Sequence, residues 1–145
     1  MPGIVVGVDG SPNSEHALDW AMKEAAAHHA PLTVLAVHEV MKSYWTGSPV
    51  PIAGDNARLE KTREATEKMT QQAVTRLGDA RPAAVDVRAV HGFPANELVN
   101  ASHHADLIVV GSRGGGGFAR LMMGSVSSQV VHHAACPVVV IPHER

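Results

Sequence analysis

Five short runs rich in valine, isoleucine and leucine recur along the chain, and helical patterns lie between them. Runs that are apolar at nearly every position are typical of strands buried on both faces of a parallel sheet. The predicted strands cover residues 4–8, 32–37, 107–110 and 137–142, and residues 84–90, which alternate between apolar and polar positions, form the third strand in chain order. Because strands that alternate with helices are joined by right-handed crossovers, the pattern predicts one doubly wound α/β domain with helices on both faces of the sheet.

Four helices are expected between these strands. Ser11, followed by Pro12, is predicted to cap a helix that ends near residues 30–31. The second helix is expected to begin at a cap formed by Asp55 or Asn56 and to end at Gly78. Its predicted apolar stripe consists of Ala65, Met69, Ala73 and Leu77. Helical patterns also cover residues 95–103 and 126–134.

Residues 41–56 are rich in glycine and proline and are predicted to form a loop. The segment holds Tyr44 and Trp45, which are two of the few aromatic residues in the chain. Long loops of this kind often act as a lid or an interface. The alternative, that the two aromatic side chains fold over the core, stays equally open.

Composition restricts the function classes. The chain has 145 residues and a net charge of −2, which fits one globular domain and gives no electrostatic basis for binding nucleic acid or an anionic membrane. A single cysteine, Cys136, excludes an intrachain disulfide and favours a reducing compartment. No signal-peptide pattern or apolar run of roughly 20 residues is present, so we expect a cytoplasmic protein.

A glycine-rich segment follows the fourth predicted strand. It reads Gly111-Ser-Arg-Gly114, then nine residues, then Gly124-Ser125 before a predicted helix capped by Ser125. Glycines allow backbone N–H groups to approach an anion, and a helix N-terminus adds a favourable dipole. The segment therefore predicts a site for a nucleotide or another phosphate ligand. A flexible glycine loop with an ordinary helix cap is the alternative.

A second loop, residues 8–11, follows the first strand. Ligands of open α/β sheets bind at the carboxyl ends of strands where the strand order reverses, so the two loops meet if strands one and four are neighbours. The Asp9 carboxylate is suited to accept from a ribose hydroxyl or to help hold a divalent metal, and Val37 could form an apolar wall for a base. Asp9 as a turn residue and Ser11 as a cap alone are the alternatives.

Other chemistries have weaker support in the sequence. The chain has no P-loop lysine, so slow ATP hydrolysis is the most that we expect. Ten histidines include three adjacent pairs, but neighbouring residues on a helix point about 100° apart and do not form a chelating face. Of these histidines, His38 is the one expected near the ligand, and Cys136 is expected to be a small core residue.

The spacing Gly111-x2-Gly114-x9-Gly124-Ser125 resembles the ATP-binding motif of the universal stress protein family. Residues 4–12 are similar to the usual beginning of that family, and residues 126–127 and 133–140 are similar to its usual end. The resemblance implies a Rossmann-like domain of the adenine nucleotide alpha hydrolase type, with a five-stranded parallel sheet in the order 3-2-1-4-5. It also implies an ATP ligand, with Mg²⁺ held through the phosphates and Asp9 as a candidate ligand, and a homodimer that forms through the last strand.

The family motif carries over to named positions of this chain. The implied nucleotide-binding residues are Val8, Asp9, Gly10, Ser11, Val37, Val110, Gly111, Ser112, Arg113, Gly114, Gly117, Gly124, Ser125, Val126 and Ser127. Relatives often carry a basic residue at the position of Gly115 and a small one near Arg120. Arg120 could supply that charge to the phosphates or could be solvated.

Three functions follow as hypotheses. The first is a regulatory ATP-binding protein of the stress response, which acts on a downstream protein that the sequence does not reveal. The second is a slow Mg²⁺-dependent ATP hydrolase or nucleotidyl-transfer enzyme that uses Asp9. The third is an interaction module whose glycine loop holds no nucleotide.

Overall fold

In the computed structural model of the chain, residues 3–39, 41–42, 49–50, 54–112 and 124–142 are described. Their strands in chain order are β1 (Ile4–Val8), β2 (Leu32–Glu39), β3 (Met41–Lys42), β4 (Pro49–Val50), β5 (Val85–Gly92), β6 (Leu107–Gly111) and β7 (Val138–Ile141). Five of them form one parallel sheet in the order β5-β2-β1-β6-β7. This is the predicted order 3-2-1-4-5, counted over the strands of the main sheet.

Helices cover both faces of the sheet. They are α1 (Pro12–Ala27), α2 (Asp55–Leu77), α3 (Pro94–Ser102) and α4 (Ser125–His133). The first core cluster joins the sheet to α1 and α2, with Leu18 and Met22 fully buried. The second cluster joins the other face to α3 and α4, with Leu98 and Val130 at its centre. The predicted two-faced α/β domain is confirmed.

Successive residues of β1 contribute to the two clusters in turn. Ile4, Val6 and Val8 face α1 and α2, whereas Val5 packs on the other side, as the two-residue period of a strand requires. Gly7 also faces the second cluster, where an added Cβ would lie 2.9 Å from Leu98 Cδ1. The absence of a side chain at Gly7 thus lets α3 pack closely on the centre of the sheet.

The start and the inner face of α2 differ from the prediction. Gly54, with a φ of 86°, is the N-cap residue, and no side chain caps the helix, so the predicted cap at Asp55 or Asn56 is wrong. Ala65 is exposed, whereas Thr66 next to it is buried. The Thr66 hydroxyl donates to the Thr62 carbonyl at 2.7 Å, which satisfies its hydrogen bonding inside the protein and allows a polar residue on the buried face.

The segment over residues 41–56 is not entirely a loop. Strands β3 and β4 pair in antiparallel fashion, with Met41 opposite Val50 and Lys42 opposite Pro49. Tyr44 and Trp45 lie outside the described residues, so the lid and the cover over the core both stay predictions. The strands β2 and β5 are longer than predicted because they pair with each other over eight residues.

Candidate functional site

The carboxyl ends of β1 and β6 lie side by side near the centre of the sheet. Their register pairs Ile4 with Leu107 and Val6 with Val109. The chain continues from β1 to β2 on one side of this pair, whereas β6 leads to β7 on the other side, so the strand order reverses here. The condition for the two predicted loops to meet is fulfilled, and this edge is where α/β sheets bind ligands.

A hydrogen bond to the Asp9 side chain stabilises the turn after β1. Asp9 is exposed, and its Oδ1 accepts a 2.9 Å hydrogen bond from the Ser11 amide. Gly10 has a φ of 83°, and an added Cβ would meet no atom within 4 Å. The turn therefore presents an open surface at the sheet edge, with a carboxylate fixed beside it.

Ser11 begins α1 at this edge, as predicted. Its hydroxyl accepts a 3.2 Å hydrogen bond from the Ser14 amide, and the Ser14 hydroxyl donates to the Ser11 carbonyl at 2.9 Å. Pro12 occupies the first turn of the helix, where the missing N–H costs nothing. The positive end of the α1 dipole thus lies next to the turn that carries Asp9.

The two described ends of the glycine-rich segment, Ser112 and Gly124, are bonded to each other. The Gly124 amide donates a 2.5 Å hydrogen bond to the Ser112 carbonyl. The Ser127 hydroxyl, which is 2% exposed, donates to the Gly124 carbonyl at 3.0 Å and approaches the Ser112 carbonyl at 3.4 Å. The Ser112 amide in turn donates to the Ile141 carbonyl at 2.8 Å. These bonds join Ser112, Gly124 and Ser127 in a closed base at the carboxyl end of β6.

The family of this chain follows from its similarity to known proteins. The model of the universal stress protein family matches residues 2–142. The chain belongs to this family. A universal stress protein of Mycobacterium tuberculosis is 36% identical over 139 residues, which cover 96% of this chain and 47% of that protein. The chain thus spans about half the length of the curated relatives that it matches.

Two solved structures of the family share the fold. One is a universal stress protein in complex with cAMP, with a TM-score of 0.67, 26% identity, and coverage of 96% of this chain and 94% of that chain. The other is UspA from Lactobacillus plantarum, with a TM-score of 0.76, 24% identity and 97% coverage of both chains. The arrangement of sheet and helices described above is therefore that of the family.

The structure places most of the predicted nucleotide-binding residues at this edge. Those that it describes there are Val8, Asp9, Gly10, Ser11, Val110, Gly111, Ser112, Gly124, Ser125, Val126 and Ser127. Val37 lies near the end of β2, half-buried against the cluster that holds α3 and α4, so its face is opposite to that of Val8. Arg113, Gly114 and Gly117 lie outside the described residues, as do Gly115 and Arg120.

The predicted cap of α4 is corrected. The N-cap residue is Gly124 and not Ser125, which is the exposed first residue of the helix. No side chain caps this end, and the Gly124 carbonyl accepts from the Ser128 amide at 2.9 Å. The Gly124 amide is bonded to the Ser112 carbonyl, and the Gly124 carbonyl accepts the first hydrogen bond of the helix. The cap is therefore one residue earlier than predicted.

Asn13 is a residue of the site that the sequence analysis missed. It is 4% exposed, and its Nδ2 donates to the carbonyls of Ile141 and Pro142, each at 3.4 Å. A Cβ added to Gly111 would lie 2.9 Å from Asn13 Oδ1. Asn13 thus ties the start of α1 to the ends of β6 and β7. Its spacing of four residues from Ala17, which lies on the apolar stripe, was the available signal.

The described residues lack two features, a cluster of metal-binding side chains and a membrane-spanning helix. Among the described parts of the chain, no group of three or more His, Cys, Asp or Glu side chains is arranged to hold a metal ion. None of the described helices combines the length and the apolar character that crossing a bilayer requires.

Proposed function

We propose that this chain is a regulatory protein that binds an adenine nucleotide, ATP with Mg²⁺ in the first place, at the joined carboxyl ends of β1 and β6. One observation carries the proposal: the turn containing Asp9 and the closed base formed by Ser112, Gly124 and Ser127 lie at the same switch point of the sheet. The relative solved in complex with cAMP supports an adenine nucleotide as the ligand class.

The parts of the site have separate roles in this proposal. The glycines within residues 113–123 would let backbone N–H groups approach phosphate oxygens, and the N-terminus of α4 would add N–H groups and the positive end of its dipole. Asp9 would accept from the ribose or approach the metal, and Val37 would contact the base. Mg²⁺ fits the donor set at this edge because it keeps several waters and needs one or two carboxylates besides phosphate oxygens. Bound there, it would neutralise phosphate charge.

Binding rather than turnover is the proposed role. Fast phosphoryl transfer needs preorganised cations and a positioned nucleophile. The chain has no P-loop lysine, and the cations of the two loops are Arg113 and Arg120, which lie outside the described residues. A slow ATP hydrolase that depends on Asp9 is the second candidate, and a module that binds protein partners without nucleotide is the third.

We also propose a homodimer that forms through β7. Among the described strands, β7 pairs with β6 alone, so its outer edge offers unpaired backbone groups. A cytoplasmic protein with a downstream protein partner, regulated by the nucleotide state, completes the proposal.

The nucleotide carried by the purified protein tests the proposal. Protein expressed without added ligand is denatured, and the supernatant is analysed by chromatography with mass detection. We expect an adenine nucleotide in near-stoichiometric amount, and its identity distinguishes ATP from AMP and cAMP. An empty protein that also gives no calorimetric response to ATP with Mg²⁺ would favour the interaction module. ATP turnover beyond one equivalent that is abolished in Asp9→Asn would favour the hydrolase.

A further inference from the structure

Two histidines from distant parts of the sequence lie side by side near the same edge of the sheet. His38 in β2 and His91 in β5 are direct partners in the parallel register. Their ring centroids are 5.4 Å apart, and the ring planes are inclined by 71°. This pair is not one of the three pairs of adjacent histidines in the sequence, because His38 and His91 meet only when β2 pairs with β5.

The sheet holds the two rings on one face. Partners in a parallel register point to the same side, and neighbouring strands are about 4.8 Å apart. Residues at every second position before these histidines, Val34 in β2 and Val87 in β5, pack into the cluster that joins the sheet to α1 and α2. The imidazoles therefore lie on the face of the sheet that packs against α1 and α2. The hydrogen bonds between β2 and β5 fix the backbone positions of both histidines.

His91 has a ring nitrogen that the described structure leaves unsatisfied. Nδ1 of His91 is buried from solvent and has no hydrogen-bond partner among the described residues. A buried polar atom without a partner costs free energy because it loses its hydrogen bonds to water, so such an atom indicates a missing ligand or contact. The unsatisfied nitrogen belongs to the ring that faces His38.

We propose that His38 and His91 form a two-imidazole site for a divalent transition-metal ion such as Zn²⁺, Ni²⁺ or Cu²⁺. Two imidazoles that share one ion at metal–nitrogen distances of about 2.1 Å and a tetrahedral angle have ring centroids about 5.2 Å apart. The observed 5.4 Å agrees with this spacing. Neutral imidazole nitrogens suit these ions, whereas Mg²⁺ prefers oxygen, so the site is separate from any Mg²⁺ that accompanies a nucleotide.

The small number of ligands defines what kind of site this is. No third His, Cys, Asp or Glu side chain joins a metal-binding group in the part of the chain that the structure describes. Water or an added ligand would fill the remaining coordination positions, so the ion would exchange readily. Among divalent ions, the order of affinity should follow the general preference of nitrogen sites, with Cu²⁺ above Ni²⁺.

The test uses the full chain with any affinity tag removed and with chelator dialysed away. Titration with Ni²⁺ and Cu²⁺ is followed by calorimetry for the natural chain and for His38→Gln and His91→Gln. We expect one saturable site, with affinity reduced at least about tenfold in each variant. The matched control is His132→Gln with His133→Gln on α4, where the rings lie 6.4 Å apart on adjacent exposed residues. This control should keep the natural affinity.

Two outcomes would overturn the proposal. One is the absence of a saturable site in the natural chain, and the other is an affinity that falls with the α4 pair but not with His38 or His91. If a variant fails to fold by circular dichroism, the electron paramagnetic resonance spectrum of Cu²⁺ bound to the natural chain decides. Coupling to two imidazole nitrogens supports the site, and coupling to one or none contradicts it.

Discussion

The Gly124 amide donates a 2.5 Å hydrogen bond to the Ser112 carbonyl, so these two residues, twelve positions apart in the sequence, are held together at the carboxyl end of β6. The buried Ser127 hydroxyl strengthens this contact by donating to the Gly124 carbonyl. A loop closed in this way has its base positioned before any ligand arrives, which lowers the entropic cost of binding. The turn that carries Asp9 lies on the neighbouring strand.

Replacement of Gly111 by alanine tests the packing of Asn13 against the sheet edge. The new Cβ would lie 2.9 Å from Asn13 Oδ1, and the buried Asn13 is held by two backbone carbonyls. We expect Gly111→Ala to destabilise the protein by about 1–3 kcal/mol in urea unfolding. The double variant with Asn13→Ala should lose less than the sum of the two single losses. Simple additivity would show that the two residues are not coupled.

Two serines at helix starts should differ in their effect on stability. Ser11→Ala removes the hydroxyl that accepts from the Ser14 amide and should cost about 1 kcal/mol of unfolding free energy. Ser125→Ala should change stability by less than about 0.5 kcal/mol, because Ser125 is exposed and does not cap α4. Thermal and urea unfolding without nucleotide measure both effects. Equal losses would restore Ser125 as the cap.

The outer edge of β7 should determine the assembly state. The Pro137 and Ile141 carbonyls accept from β6, so in the alternating parallel ladder the amide of Val140 points away from β6. Val140→Pro removes that outward donor and should convert a dimer to a monomer in light scattering coupled to chromatography. Val140→Thr keeps the amide and serves as the control. A dimer that persists in the folded proline variant would place the interface elsewhere.

The reactivity of Cys136 should show a shifted pH dependence. Burial raises the pKa of the Cys136 thiol, and the Asp106 carboxylate raises it further, while a hydrogen bond with the Ile108 backbone acts in the opposite direction. We expect the alkylation rate to rise at higher pH than for an ordinary thiol. Asp106→Asn should lower the pKa and speed alkylation at a given pH, whereas Asp79→Asn should not. A thiol more reactive than an ordinary one would contradict the shift.

The main architecture could be predicted because its signals are local. Apolar runs gave the strands, and Ser11 with Pro12 gave the start of α1, since each pattern has a direct physical cause within a few residues. The ends of elements were less predictable. Asp55 is an ordinary cap residue, but the N-cap residue of α2 is Gly54, which has a left-handed conformation. Glycine, aspartate and asparagine are all common cap residues, so local propensity does not show which of Gly54, Asp55 and Asn56 begins the helix.

Contacts between distant segments were beyond the sequence analysis. Asn13 acquires its role from the ends of β6 and β7, and His38 meets His91 only through the register of β2 with β5. Each relationship depends on packing that a single sequence does not encode locally. The candidate site was predicted in outline because two loops with suitable chemistry follow strands, and the strand order that brings them together came from the family resemblance.

Calorimetric titration of the nucleotide-stripped protein tests the central claim most directly. ATP with Mg²⁺, AMP and cAMP are titrated into the natural chain, Asp9→Ala and Asp79→Ala, the last being a carboxylate near the opposite end of the sheet beside Val85. The account predicts one site per chain for at least one of these nucleotides. Affinity should be at least about tenfold weaker in Asp9→Ala, from the loss of a charged hydrogen bond, and unchanged in Asp79→Ala. No binding of any of the three nucleotides, or equal affinity in the natural chain and Asp9→Ala, would contradict it.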